Sequence, residues 1–302
     1  MAARDKQSAI TLTVFASLIW GTSFPGTKWG LDFVQNEVLF VWLRFVVAIV
    51  LTLALVLYFH RLKLSIFRNP VIWMIGGFNA AGFLLQYVGL TLTTSSNTAL
   101  LVDINVVAVA VVSYFYFKER LGRGQIFGIF LGSLGVLLLT LNKELRFDPD
   151  EIVGDILVYI AGWCWAFFII FNKKMLDKHD GVEVGSAAIV TCAAWLTLPT
   201  AFLAATGSSM SIEGPGWLVI LYLGIFCTFV ATLLWASGLE GVSATASATI
   251  MLVEVLTALA LSILLLEESM SPPAVVGCVL VLSSIYLVAG TGRGEKEPVK
   301  TV

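Results

Sequence analysis

The sequence predicts an all-α integral membrane protein, with ten transmembrane helices in two inverted five-helix repeats around a central cavity. Three observations carry that reading. Of the 302 residues, 13% are charged and 58% are hydrophobic, whereas a soluble chain keeps about a quarter of its residues charged. The apolar residues gather into ten continuous runs, each near the roughly 20 residues that cross a bilayer as a helix. Polar and tryptophan positions then recur in order between the two halves of the chain.

The first run covers 9–27, behind Arg4 and Lys6. It passes Trp20 without a small-residue cleavage site, so it is read as a retained helix closed by Pro25 and Gly26. The others cover 38–59, 70–91, 96–117, 122–141, 153–172, 184–205, 215–236, 243–266 and 272–290. None alternates apolar with polar as a barrel strand does, so each run satisfies its own backbone as a helix. The linkers leave no room for a soluble domain. With the N-terminus inside, the inner segments hold Arg4, Lys6, Arg61, Lys63, Arg68, Lys118, Arg120, Arg123, Lys173, Lys174, Lys178, Arg293, Lys296 and Lys300; the outer ones hold only Lys28, Lys143 and Arg146. That asymmetry places both termini in the cytoplasm and the chain in the inner or plasma membrane.

An offset of 149 residues brings Gly89-Leu90 onto Gly238-Leu239, Thr98 onto Ser247, Asn105 onto Glu254, Ser113 onto Ser262, Glu119 onto Glu268 and Gly128 onto Gly277. An offset of 145 brings Trp20 onto Trp165 and Lys28 onto Lys173. Residues 9–141 and 153–290 are therefore read as two repeats. Five helices is an odd number, so the halves have opposite orientation. Basic residues after the fourth run, against Glu267 and Glu268 after the ninth, agree. Inverted repeats of this kind are built around a solute site between the halves.

Other chemistries find little support. A net charge of −2 offers nucleic acid no electrostatic footprint. Cys164, Cys192, Cys227 and Cys278 lie inside apolar runs at no metal-binding spacing, and His60 and His179 are too few for a histidine metal site or triad. No cofactor or metal is expected. Gly122-Arg123-Gly124 with Gly128 comes after no strand and so makes no nucleotide loop. Gly154-Asp155 lacks a second aspartate for an intramembrane protease.

The segments Ile19-Trp20-Gly21-Thr22-Ser23-Phe24, Leu43-Arg44-Phe45 and Phe117-Lys118-Glu119-Arg120-Leu121 resemble the drug/metabolite transporter superfamily, in its EamA-type members. Trp165-Ala166 and Glu254 fit the second-half versions. The resemblance covers nearly the whole chain and implies a ten-helix basket around a central cavity, often exporting amino acids or related metabolites. One departure is that Glu254 precedes Val255, where family members often carry proline, which puts a kink in the ninth helix in question.

Polarity within the runs picks out the candidate site residues. On a helical wheel Thr98, Asn105 and Ser113 share one stripe, as do Ser247, Glu254 and Ser262; the alternatives are two walls of one cavity or helix–helix hydrogen bonding. Glu254 lies near the middle of its run, where a charge costs about 2.5–3.5 kcal/mol. It is a candidate for substrate binding and proton coupling, with a buried structural bond as the alternative. Arg44 would hold a substrate carboxylate in a two-pronged bond or neutralise a buried acid, Asp103 or Glu254. Asp103 faces away from the polar stripe and is read as structural. Asn79 and Gln86, with counterparts Thr228 and Trp235, would bond a polar solute or another helix. Trp20 and Trp165 would stack on substrate or pack. Pro25 and Gly26 form a gate hinge or a helix end. Gly128, Gly132 and Gly135 permit close helix approach.

The expected activity is alternating-access export of small polar metabolites, amino acids or related compounds first. The alternatives are small organic cations or polyamines, caged by Glu254 and the tryptophans; phosphorylated sugars or nucleotides, which need more bases than Arg44, Lys28 and Lys173 supply; and a lipid flippase or non-transporting scaffold. The expected partners are the bilayer, a small-molecule substrate and at most a second copy, as monomer or homodimer.

Overall fold

Every long apolar run is helical in the computed structural model, which describes residues 5–59, 62–93, 98, 101–119, 121–140, 151–208, 211–266 and 272–291. In chain order these are α1 (Lys6–Leu31), α2 (Glu37–Phe59), α3 (Pro70–Leu92), α4 (Ile104–Tyr116), α5 (Arg123–Thr140), α6 (Ile152–Met175), α7 (Gly181–Ala205), α8 (Gly214–Leu239), α9 in two segments (Ala244–Met251 and Val253–Leu266) and α10 (Pro272–Thr291). Eight are long and apolar enough to cross a membrane; α4 and α5 are shorter apolar helices. His60, Arg61, Arg120, Glu267, Glu268, residues 141–150 with Lys143 and Arg146, Arg4, Arg293, Lys296, Lys300, and the side chains of Lys28 and Ser262 lie outside the described residues.

Short polar residues start the helices. Asp5, Asn69, Asp180 and Ser243 accept hydrogen bonds from the backbone N–H groups of Ser8, Val71, Glu183 and Ala246, satisfying donors that have no partner within the helix. Hydroxyls on the buried faces bond back to their own helix, Thr13 to the Ala9 carbonyl (3.0 Å), Ser17 to Thr13 (2.8 Å) and Thr52 to Ala48 (2.8 Å). Such internal bonds let them sit in an apolar medium. Large apolar side chains such as Phe15, Leu57, Phe115, Phe130, Phe202 and Leu218 point outward, a surface suited to lipid.

Packing runs mainly between the halves. α3 lies on α6 and α7, α1 on α8 and α9, α2 on α7 and α8, and α5 on α10. Glycines set the closest approaches, and they repeat the sequence offsets. A Cβ on Gly89 would stand 2.6 Å from Val158 and 3.0 Å from the Gly154 carbonyl, and one on Gly238 would meet Thr13 and, at 2.8 Å, the Ala9 carbonyl. Gly238 is Gly89 shifted by 149; Gly154 and Val158 are Ala9 and Thr13 shifted by 145. Likewise Gly135 meets Gly277 as Gly128 meets Ser284, and the same exchange of halves relates the two contacts. The duplication read from the sequence is thus present in the packing.

The α5–α10 seam carries glycine on both of its faces. A Cβ on Gly135 would lie 2.8 Å from the Gly277 carbonyl oxygen and 2.8 Å from Val281, with backbone on one side that cannot yield. Gly135→Leu is expected to destabilise the fold by about 3 kcal/mol or more, read as a lower unfolding midpoint in detergent. Gly214→Ala, with nothing within 4 Å, is the control expected to leave it unchanged.

Two features differ from the sequence reading. α1 does not end at Pro25-Gly26 but runs on to Leu31, with Pro25 inside it. Neither the fourth nor the ninth run is one continuous helix. Each turns at one residue, Asp103 in the first half and Leu252 in the second, and these are 149 apart. The Val106 N–H bonds the Asp103 carbonyl and the Val255 N–H bonds that of Leu252, both at 3.2 Å. These three-residue bonds tighten the turn without proline. The ninth helix is therefore interrupted although Val255 replaces the family's proline, and a wheel drawn straight through either run misplaces residues across the break.

Candidate functional site

α2 buries Arg44 to 3% exposure. A guanidinium has five N–H groups, and two are engaged. Nε donates to Thr228 Oγ1 at 2.9 Å and Nη1 makes a long 3.5 Å contact with Tyr87 Oη. Tyr87 in turn lies 3.1 Å from the Thr27 hydroxyl. The Phe83 ring faces the guanidinium carbon at 5.0 Å, a favourable cation–π placement. No carboxylate pairs with Arg44 among the described residues. Neither Asp103 nor Glu254 reaches it, so the acid partners expected from charge are replaced by two hydroxyls and a ring. A buried cation without a counter-charge is costly, and its free N–H groups form a ready site for an anion.

Around this cation α3 presents a polar and aromatic face. Asn79, Phe83 and Gln86 stand at i, i+4 and i+7. Asn79 and Gln86 are 7% and 9% exposed, and their amides make no hydrogen bond among the described residues. Trp165 of α6 lies edge-on to Phe83, centroids 5.6 Å apart, and rests on Gly82, where a Cβ would touch the indole at 3.0 Å. Its N–H is likewise unbonded among the described residues. Arg44, Asn79, Gln86 and Trp165 are thus gathered about Phe83. Sequence reasoning missed Phe83 and Tyr87, although each stands four residues from another of this set along α3.

The other two tryptophans are held by protein. Trp20 Nε1 donates to the Cys227 carbonyl at 2.7 Å and its ring meets Trp235 at 6.0 Å. Trp235 corrects the sequence reading. It is 0% exposed, bonds Ser247 Oγ at 3.0 Å and stacks on Phe168 at 5.1 Å, so it packs the core and presents nothing to a solute. Its match to Gln86 is positional only. Ser247 likewise serves Trp235 rather than a cavity.

Where Trp20 and Arg44 touch it, α8 widens into a π-helix over Leu223–Val230. The Ala231 N–H reaches back five residues to the Phe226 carbonyl. Thr228 donates to the Leu223 carbonyl at 2.9 Å, also five residues back, while accepting from Arg44.

The acids form a separate group. Asp103 is the turn residue just before α4 and Glu254 lies in the first turn of the second segment of α9, close enough to interact electrostatically. Glu254 makes no hydrogen bond or ion pair among the described residues, and Asp103 Oδ2 is buried without one. A cavity of about 240 Å³ opens beside them, lined by Asp103, Ile104, Val107, Ser133, Tyr159 and Leu252 among others. None of the residues chosen from the sequence lines it. Asp103, set aside there as structural, does. Asn105 is 6% exposed, with its carboxamide oxygen unbonded.

α1 connects the two groups. Pro25 has no N–H for the Gly21 carbonyl, and Gly21 is where α1 crosses α9, a Cβ there falling 2.6 Å from the Glu254 carbonyl. Gly26 faces the π segment, where a Cβ added to it would stand 3.5 Å from Leu223. At one end of the bundle Lys173 Nζ caps α8, donating to the Leu239 (2.7 Å) and Glu240 (3.4 Å) carbonyls.

Comparison with known proteins agrees with this architecture. The model of the EamA-like transporter family matches twice, at residues 7–141 and 152–290. The "uncharacterized transporter YyaM" of Bacillus subtilis (strain 168) is 24% identical over 294 residues, covering 93% of each chain. A "probable amino-acid metabolite efflux pump" of Salmonella typhimurium (strain LT2) is 28% identical over 180 residues, 57% of this chain and 60% of that one. A solved crystal structure superposes with a TM-score of 0.81 at 18% identity, covering 96% of this chain and all of the other; at that identity it speaks for the fold alone. With two matches that together take in most of its length, this ten-helix chain belongs to the EamA-like transporter family, a multi-pass membrane transporter and not an enzyme.

Proposed function

We propose that this transporter exports small metabolites bearing a carboxylate, amino acids or related compounds first, from the cytoplasm across the inner or plasma membrane by alternating access. The observation that carries the reading is Arg44, buried, without an acid partner among the described residues, beside the unbonded amides of Asn79 and Gln86 and the indole of Trp165. An amino acid's carboxylate would take the guanidinium and its side chain the Phe83–Trp165 wall. The efflux pump of S. typhimurium is a relative whose name fits this reading. Glu254 and Asp103 would couple the cycle to protons, Pro25-Gly26 would flex α1, and the chain would act as a monomer or homodimer with both termini in the cytoplasm.

The test is thermal unfolding of the purified protein in detergent against amino acids, polyamines and sugar phosphates. A ligand at one hundred times its Kd stabilises the folded state by about 2.7 kcal/mol. Amino acids are expected to raise the midpoint. A rise with polyamines alone would transfer the substrate to the Asp103–Glu254 pair, whose two unpaired carboxyl groups favour the reading as an exporter of small organic cations.

A further inference from the structure

A π turn is wider than an α turn, is rare and tends to mark functional sites; it persists where its neighbours hold it. In α8 those neighbours come from two helices. α1 supplies Trp20, whose indole N–H takes the Cys227 carbonyl, and the Ile19 carbonyl, which the Cys227 thiol meets at 3.6 Å. α2 supplies Arg44 and a close crossing at Gly224, where a Cβ would fall 2.6 Å from Val47. Thr228 joins these contacts. Its hydroxyl donates into the π turn at Leu223 and accepts from Arg44 Nε. The winding of α8 and the orientation of the guanidinium are therefore one arrangement.

We infer that the Leu223–Val230 segment is a two-state element of the transport cycle, and that Thr228 couples it to a carboxylate bound at Arg44. The inference rests on the carboxylate reading above. A carboxylate gripping the guanidinium through Nε and an Nη competes with Thr228 for Nε, and a two-pronged ion pair displaces a single bond to a neutral hydroxyl. Released from Arg44, Thr228 no longer ties the π turn to α2, and the segment relaxes toward α winding. Removing the extra residue turns the C-terminal part of α8 by about 100°. That part carries Trp235, bonded to Ser247 of α9 and stacked on Phe168 of α6. Occupancy at Arg44 thus reaches two helices that the guanidinium does not touch.

The experiment is hydrogen–deuterium exchange of the full chain in detergent, with L-leucine as probe and isoamylamine, the same molecule without its carboxylate, as control. Binding is scored separately by thermal shift. In the wild type, leucine is expected to change exchange across 223–232 by about fivefold or more, and isoamylamine to leave it unchanged. Thr228→Val should bind leucine within about threefold of wild type, lose the exchange response and transport at least about tenfold more slowly. Thr228→Ser, which restores the hydroxyl, should recover both. Leucine binding without any exchange change, or wild-type transport by Thr228→Val, overturns the inference and leaves the Arg44 site standing. Failure of leucine to bind, or undiminished binding by Arg44→Met, overturns the carboxylate reading and the inference with it.

Discussion

Arg44→Met is expected to remove amino-acid stabilisation and to lower amino-acid transport by roughly 100-fold or more, the range seen when one member of a buried charge pair is truncated. The same variant, unliganded, is expected to keep its unfolding midpoint or gain on it. The wild-type cation has no counter-charge among the described residues, and an apolar side chain of similar length removes an uncompensated charge from the interior. Loss of function joined to retained stability is the signature of a binding residue. If Arg44 were only a strut between Thr228 and Tyr87, both properties would fall together. Arg44→Lys should not rescue, since an ammonium lacks the planar fork that Thr228 and a carboxylate share. Transport by Arg44→Met at the wild-type rate would remove Arg44 from the site.

The second large effect concerns pH. Transport by the wild type is expected to vary with pH, and Glu254→Gln to flatten that variation over about pH 5.5–8.5, as removal of a titrating group does. Glu254 and Asp103 are close enough to interact electrostatically, without a cation paired to either among the described residues. Acids that interact strongly titrate as a pair. Asp103→Asn should therefore leave a simpler, single-step profile rather than a flat one. Initial rates in proteoliposomes at clamped internal pH check this. An unchanged profile in Glu254→Gln would end the coupling role; a flat profile combined with lost polyamine stabilisation would favour the cation reading.

How much of this was legible depended on what each feature answers to. The bilayer dictates helix length and polarity, so nine of the ten runs were readable to within a few residues; the fourth, read as 96–117, begins partly outside the described residues. The duplication was readable because Gly89 and Gly238, or Gly128 and Gly277, occupy positions where the neighbouring helix leaves no room for a side chain. The partners of Arg44 were not. Charge complementarity pointed to Asp103 and Glu254, but the choice among acids and hydroxyls is made by how α2 rotates against α3 and α8, which no local pattern records. The breaks at Asp103 and Leu252 carry neither glycine nor proline, and the π turn in α8 is written in contacts from Trp20 and Arg44 rather than in its own residues. Trp235 shows the converse error. It sits in register with Gln86, yet Phe168 and Ser247 enclose it completely.

The pairing of helices across the halves also governs how the chain is assembled. α1 waits for α8 and α9, α3 for α6, and α5 for α10, so the surfaces made first are covered by segments synthesised much later. Contacts so distant in sequence make folding slow and leave intermediates exposed. The glycine face of α5, with Gly128, Gly132 and Gly135 all set against α10, stays bare until α10 leaves the ribosome. A nascent chain halted before residue 272 thus displays the glycine seam of α5 uncovered.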